Sequence, residues 1–279
     1  MKTLLIPIDF SDVSYTAAQY GLDLADHLNA LKVIFYHSYV TTPVALSNSE
    51  QSENLYYDAA IKHLEKMTDR LRIPKAISRD KIILLANNHP VKTGVEAIVN
   101  QHNVSLIVMG IAGLSDIENT LIGRNTLAVA ASGVAPLLIV PRNHVFQTVK
   151  KVVYATDLRD IETSTPVDSI KRIAGQLDAE TYIVHVDYES QHQSPETLLC
   201  QKQLTRLLGE LNPVFDMVNE HKDKAYGIFD YVKKHDIDLI LMASRNYGFF
   251  ERLFHNSVSK KLLNIADVPV VLLKNKPVA

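Results

Sequence analysis

The sequence predicts an α/β protein of two tandem domains, each a five-stranded parallel sheet flanked by helices in a doubly wound arrangement. Three observations predict it. Short runs of Val, Ile and Leu alternate with segments of helical length and period along all 279 residues. Strands buried on both faces and covered by helices read this way. Residues 99–110, VNQHNVSLIVMG, return in register as VKKHDIDLILMA at 232–243, and an internal repeat sets the architecture before any single element does. The spacing of landmarks is also kept. Asp9 and His37 precede Asp157 and His185 by 148 positions, and Gly110 and Pro136 precede Ala243 and Pro269 by 133. About 15 residues are therefore missing from the middle of the second copy. The polar stretch 41–54 is the expected place, because its counterpart SQHQSPE (190–196) is shorter.

The elements follow in order. In the first copy the strand runs are 4–9, 32–37, 81–86, 106–110 and 136–141; in the second they are 151–157, 181–187, 213–218, 239–243 and 269–274. Helical segments lie between them at 14–29, 54–72, 91–102 and 124–132, then at 165–177, 196–211, 225–235 and 257–266. The first of these places Ala17, Ala18, Gly21, Leu22, Ala25 and Leu28 on one side, as a core-facing helix requires. The expected domains are 1–141 and 151–279, joined by a linker at 142–150. The closing runs 136–141 and 269–274 would be exposed sheet edges if unpaired.

Composition narrows the function classes. Hydrophobic residues make 47% of the chain and charged residues 22%, with net charge −2. A sequence pI near 6.6 gives no electrostatic footing for nucleic acid. The single cysteine, Cys200, excludes an intrachain disulfide and a Cys-rich metal site. The start MKTLLIPIDFSD reads as a first strand, not a secretory signal, and no run reaches the ~18 apolar residues of a membrane span. The expected compartment is the cytoplasm.

The chemistry concentrates in the first copy. Asp9 closes the first strand, and Gly110-x2-Gly113-x9-Gly123 follows the fourth. In open α/β sheets ligands sit beyond the carboxyl ends of the strands, where strand order reverses. Gly123 opens the next helix, whose N-terminus offers free N–H groups to an anion. Glycines let phosphate oxygens approach the backbone, and Asp9 is placed to accept from a ribose hydroxyl or a base amine. The second copy has Ala243, Asn246 and Asn256 at the three glycine positions. Asn256 and Ser257 there read as ordinary helix caps. The aromatic stretch from Tyr247 to Phe254 either packs on the other domain or seals the second pocket.

Eleven histidines give no metal-ligand spacing, and His37 and His185 occupy equivalent strand positions with a structural role expected. His102 and His235 fall at equivalent helix ends, where partial positive charge suits the dipole. No nucleophile elbow and no Walker loop occurs, so no catalytic residue and no metal ligand is assigned.

The whole chain resembles the universal stress protein family in its tandem form. The resemblance rests on Pro7-Ile8-Asp9, the LIVMG strand, Gly110-x2-Gly113-x9-Gly123, and the closing strands at 135–141 and 268–273. It implies an adenine nucleotide α-hydrolase-like fold and ATP, or a related adenine nucleotide, as ligand of the first domain. It puts Pro7, Ile8 and Asp9 near adenine and ribose, and Ser38 in the base pocket. Met109, Gly110 and Gly113 would flank ribose and phosphates, with Gly123, Arg124 and Asn125 facing the phosphates. In the family's ATP binders a Ser or Thr follows the third glycine; here it is Arg124. The guanidinium pairs with phosphate, fills the phosphate space, or points to solvent. The implied function is nucleotide-dependent regulation in stress response, with at most slow hydrolysis. The alternative is an interaction module that has lost the nucleotide in both halves. The resemblance also implies that the two closing strands meet across the domain interface, and it leaves room for a homodimer.

Overall fold

The computed structural model describes residues 2–39, 49–111, 123–188, 194–244 and 258–274. The first half contains β1 (Thr3–Pro7), α1 (Asp12–His27), β2 (Lys32–Ser38), α2 (Ser49–Arg70), β3 (Ile82–Asn87), α3 (Val91–His102), β4 (Leu106–Ile111), α4 (Arg124–Ser132) and β5 (Leu137–Pro141). The second contains β6 (Lys151–Thr156), α5 (Ile161–Ser164), α6 (Val167–Leu177), β7 (Glu180–Val186), α7 (Pro195–Leu207), β8 (Val214–Val218), α8 (Lys224–His235), β9 (Leu239–Ser244), α9 (Val258–Ile265) and β10 (Val270–Lys274).

The two five-stranded sheets are one. Strand order is β3-β2-β1-β4-β5-β10-β9-β6-β7-β8. Within each half every pairing is parallel, and the halves join through β5 and β10, antiparallel, with Val271 opposite Leu138. Each closing strand thus covers the other's edge, leaving β3 and β8 at the ends of the sheet. Strand order reverses at β1/β4 and again at β6/β9, so each half has its own crevice.

Helices cover both faces of the ten-stranded sheet, and the core on each face is continuous across the junction. On one face α1 contributes Leu22 and Ala25, α2 Leu64 and Met67, α6 Ile170 and Ile173, and α7 Leu204. On the other α3 contributes Val95, α4 Val129, α8 Ile228 and α9 Leu262. The segment between β5 and β6 is tied down at two points. Val149 is buried, and the His144 ring bonds through Nδ1 to the Asp267 carbonyl at 2.8 Å. Among the described residues no helix is long and apolar enough to cross a membrane.

The repeat extends to backbone detail. Phe10 and Leu158, each just past the strand-end aspartate, hold φ of 63° and 54°. Left-handed backbone is costly for such side chains, and both copies accept it to turn the chain from strand into helix. The helices α3 and α8 both end in a left-handed residue, Asn103 and Asp236, whose N–H bonds back to Val99 and Val232. His102 and His235 are the last residues of those helices.

Two features of the second half differ from the sequence expectation. The helix expected at 165–177 is α6, but an unexpected one-turn helix, α5, precedes it after left-handed Asp160. Relative to α1 the first helix is therefore interrupted before Pro166. A proline sterically disfavours helical backbone at the residue before it, here Thr165, which is extended. The missing residues also come largely out of a helix, since α2 has 22 residues and α7 has 13. Residues 49–54 of the polar stretch are helical, so the shortening is not confined to a loop.

Candidate functional site

The carboxyl ends of β1 and β4 meet the N-termini of α1, α3 and α4 around a cleft of about 660 Å3. Nine of the residues expected at a ligand line it: Pro7, Ile8, Asp9, Ser38, Met109, Gly110, Gly123, Arg124 and Asn125. Gly113 lies outside the described residues, as do Asn246, Asn256, Ser257 and the aromatic stretch 247–254 of the second copy. Among the described residues Ser11, Val13, Ser14, Tyr36, Val91 and Thr126 also line it. Tyr36 was legible in principle, two residues before Ser38 on the same strand face. Val91 was not, because only the docking of α3 beside β2 brings it here.

Asp9 is exposed to the cleft and held by its own turn. Its Oδ1 accepts from the Ser11 N–H at 3.0 Å and from the Ser11 hydroxyl at 2.6 Å. Burial pushes the carboxyl up, but the hydrogen bonds from Ser11 and Ser14 outweigh it, so the net shift is downward. Asp9 is therefore a fixed, ionised acceptor. Ser11 also caps α1, accepting from the Ser14 N–H at 3.2 Å.

The N-terminus of α4 is different. Its cap residue is Gly123, with no side chain to satisfy the first N–H groups. Among the described residues no side chain caps those groups, and they stand with the positive end of the helix dipole beside the cleft. α3 likewise begins at Pro90 with no side-chain cap. Arg124 is exposed at the first helical position, where it lines the cleft. Thr126 is buried one turn in, its hydroxyl 3.5 Å from the Gly110 carbonyl.

The side chains at the end of β2 are already engaged with neighbouring groups. The Ser38 hydroxyl donates to the His89 carbonyl at 2.6 Å. The Tyr36 hydroxyl donates to Asn87 Oδ1 at 2.8 Å, and burial pushes its phenol up, keeping it neutral. That hydroxyl fits only because α3 carries Gly94, where a Cβ would stand 1.8 Å from it.

Gly110 has a structural duty as well. A Cβ there would sit 2.5 Å from the Val13 carbonyl oxygen, so the first turn of α1 lies directly on it. The position must be bare for the fold, whatever a ligand asks of it. The counterpart in β9 is Ala243, and there the first helix is interrupted.

His37 and His185 each tie the second strand of their half to the first. His37 Nδ1 bonds the Ile8 carbonyl at 2.8 Å and His185 Nδ1 bonds the Thr156 carbonyl at 2.9 Å, the same link in each copy. Among the described residues no group of His, Cys, Asp and Glu is placed to hold a metal.

The chain matches known proteins along its whole length. A universal stress protein from Archaeoglobus fulgidus DSM 4304 superposes with TM-score 0.68 at 18% identity, covering 98% of each chain. A putative universal stress protein from Pseudomonas aeruginosa UCBPP-PA14 gives TM-score 0.55 at 12% identity, covering 99% of this chain and 94% of that one. At these identities the likeness is one of fold. A complex of an Archaeoglobus fulgidus universal stress protein with dAMP covers 47% of this chain and 100% of its own, at 15% identity and TM-score 0.35. No curated protein gives a match. The sequence profile of the Universal stress protein family fits twice, at residues 1–141 and 148–274, and the chain belongs to that family.

Proposed function

We propose that residues 1–141 form an adenine-nucleotide-binding domain whose ligand is ATP, joined by 142–150 to a second domain, 151–279, that does not bind one. The chain then acts as a nucleotide-dependent regulatory protein of the cytoplasm. The carrying observation is the pairing, in one cleft, of the uncapped α4 N-terminus with the ionised Asp9 carboxylate. Phosphates belong at the first and a ribose or base donor at the second. A cleft of about 660 Å3 lies within the ordinary range for small-molecule sites. Arg124 lines that space and is exposed, and a guanidinium there is suited to pair with phosphate.

Calorimetric titration of the full chain with ATP, ADP and AMP tests this reading. Binding that tightens with phosphate number and weakens in Arg124→Ala supports it. Binding by Arg124→Ser but not by the natural chain makes arginine a plug. An interaction module is then the better description.

A further inference from the structure

Helix α4, whose N-terminus lines the cleft, is finished at its other end by the second half of the molecule. Gly133 caps it in the left-handed region at φ 54°. Lys274, the last residue of β10, reaches across the sheet junction and donates from Nζ to the Ser132 carbonyl at 3.1 Å. The lysine chain runs over the glycine so closely that a Cβ there would stand 2.1 Å from Lys274 Cδ. Gly133 thus satisfies two demands at once, a backbone conformation and a passage for the lysine.

The internal repeat shows that this contact is not a by-product of pseudo-symmetry. The counterpart of Gly133 is Ala266, which has no left-handed backbone and closes its own helix, N–H to the Leu262 carbonyl, at 2.7 Å. The counterpart of Lys274 is Pro141, which has no amine to donate. The brace runs one way, from the second half to the first.

A helix leaves its last carbonyls without intrahelical partners, and a cation there complements the dipole. α4 has nine residues, so it spans about 13 Å. Helices this short depend on what holds them. Lys274 sits on a rigid platform, since β10 pairs with β5 through Leu272 and Leu137.

We infer that Lys274 is a positioning residue for the anion end of the first-half cleft. It holds α4 so that its N-terminal amides meet the phosphates. This rests on the nucleotide reading above and gives the second half a task in the first half's site.

The test uses the full chain with Lys274→Met, which keeps the aliphatic length, and Lys274→Arg as the conservative variant. Two measurements are made: amide exchange across residues 124–132, and affinities for ATP and for adenosine. Lys274→Met should exchange faster in α4 and lose about two- to fivefold in ATP affinity, the range a helix-terminal charge allows. Adenosine affinity should stay unchanged, and Lys274→Arg should restore both. Unchanged exchange in α4 overturns the brace. Faster exchange with an unchanged ratio of ATP to adenosine affinity overturns the positioning role, leaving only stability. If the natural chain binds neither ligand, the nucleotide reading fails and the positioning role falls with it. The exchange data then still decide whether the brace exists.

Discussion

The two halves share strands, register and helix ends, and they part at the carboxyl end of the sheet. In the first half Ser11 caps a continuous 16-residue α1 and fixes Asp9. In the second Arg159 stands where Ser11 would, its N–H reaches Asp157 Oδ1 only at 3.4 Å, and the helix breaks. Among the described residues the first half gives the N-termini of α3 and α4 no side-chain caps. The second fills the N-terminus of α8 with its own carboxylate: Asp223, the counterpart of Pro90, accepts from the Ala225 N–H at 3.0 Å and pairs with Lys261 of α9. One fold thus has two uses for the same helix end. An open N-terminus is a place for a ligand's anion; a capped one stabilises the chain and closes that option.

Substitutions that exchange features between the halves should break this comparison. The largest effect is expected at the end of β4. Gly110→Ala drives a Cβ into the Val13 backbone and should cost about 1–3 kcal/mol in urea unfolding. Ala243→Gly, on the side with the interrupted helix, should cost no more than about 1 kcal/mol. Equal costs at the two positions would show that α1 adapts, and the packing account of Gly110 would fail.

Helix caps come next. Asp223→Ala removes the α8 cap and should cost about 1 kcal/mol in the same assay. The reciprocal change, Pro90→Asp, puts a carboxylate at the α3 N-terminus beside Val91 of the cleft. It should weaken ATP by about two- to fivefold through repulsion of phosphate and leave adenosine untouched. An equal loss for both ligands would mean that the change distorts the cleft instead of altering its charge.

Acid sensitivity sharpens the comparison further. Asp9 and Asp223 are both held below the ordinary carboxyl value. Burial raises Asp9, but its Ser11 and Ser14 hydrogen bonds win; the Lys261 bond is the main cause at Asp223. A carboxyl lowered by folding contributes stability that is complete above about pH 4 and is lost as pH falls through the lowered value. Urea unfolding at pH 5, 4 and 3 should therefore show a shallower decline in Asp9→Asn and Asp223→Asn than in the natural chain.

The smallest effect is expected at the junction. Burial pushes His144 below its ordinary value, with the Asp267 carbonyl bond and the Asp267 and Asp238 charges partly offsetting it. Its neutral form is the folded one, so its contribution is whole above about pH 6.5 and falls away as pH drops through the lowered value. His144→Gln should flatten the change in melting temperature between pH 7 and 5.5. An unchanged slope would assign that pH dependence to other groups.

Much of this was legible in the chain. All ten strand runs lie within two residues of the observed strands, because a strand buried on both faces must be apolar nearly throughout. The expected ligand residues Pro7 to Asp9, Met109 and Gly110, and Gly123 to Asn125 come together for a topological reason. They stand at the ends of β1 and β4 and the start of α4, and order 3-2-1-4-5 places those beside one another. The same order recurs in the second half, as β8-β7-β6-β9-β10.

The sequence by itself determined the periodicities, the duplication and which residues stand at strand ends, since these follow from local sterics and the burial of apolar side chains. Only the tertiary structure decided what lies opposite what. The resemblance implied that β5 and β10 meet, but the antiparallel register that fuses two sheets into one is a matter of edge hydrogen bonds between segments more than 120 residues apart. That Gly110 is bare for the Val13 carbonyl and Gly94 for the Tyr36 hydroxyl depends on where a distant helix docks. That Lys274 finishes α4 depends on a side chain crossing the junction. Contacts of this kind carry no local signature, because their geometry exists only once the sheet has closed.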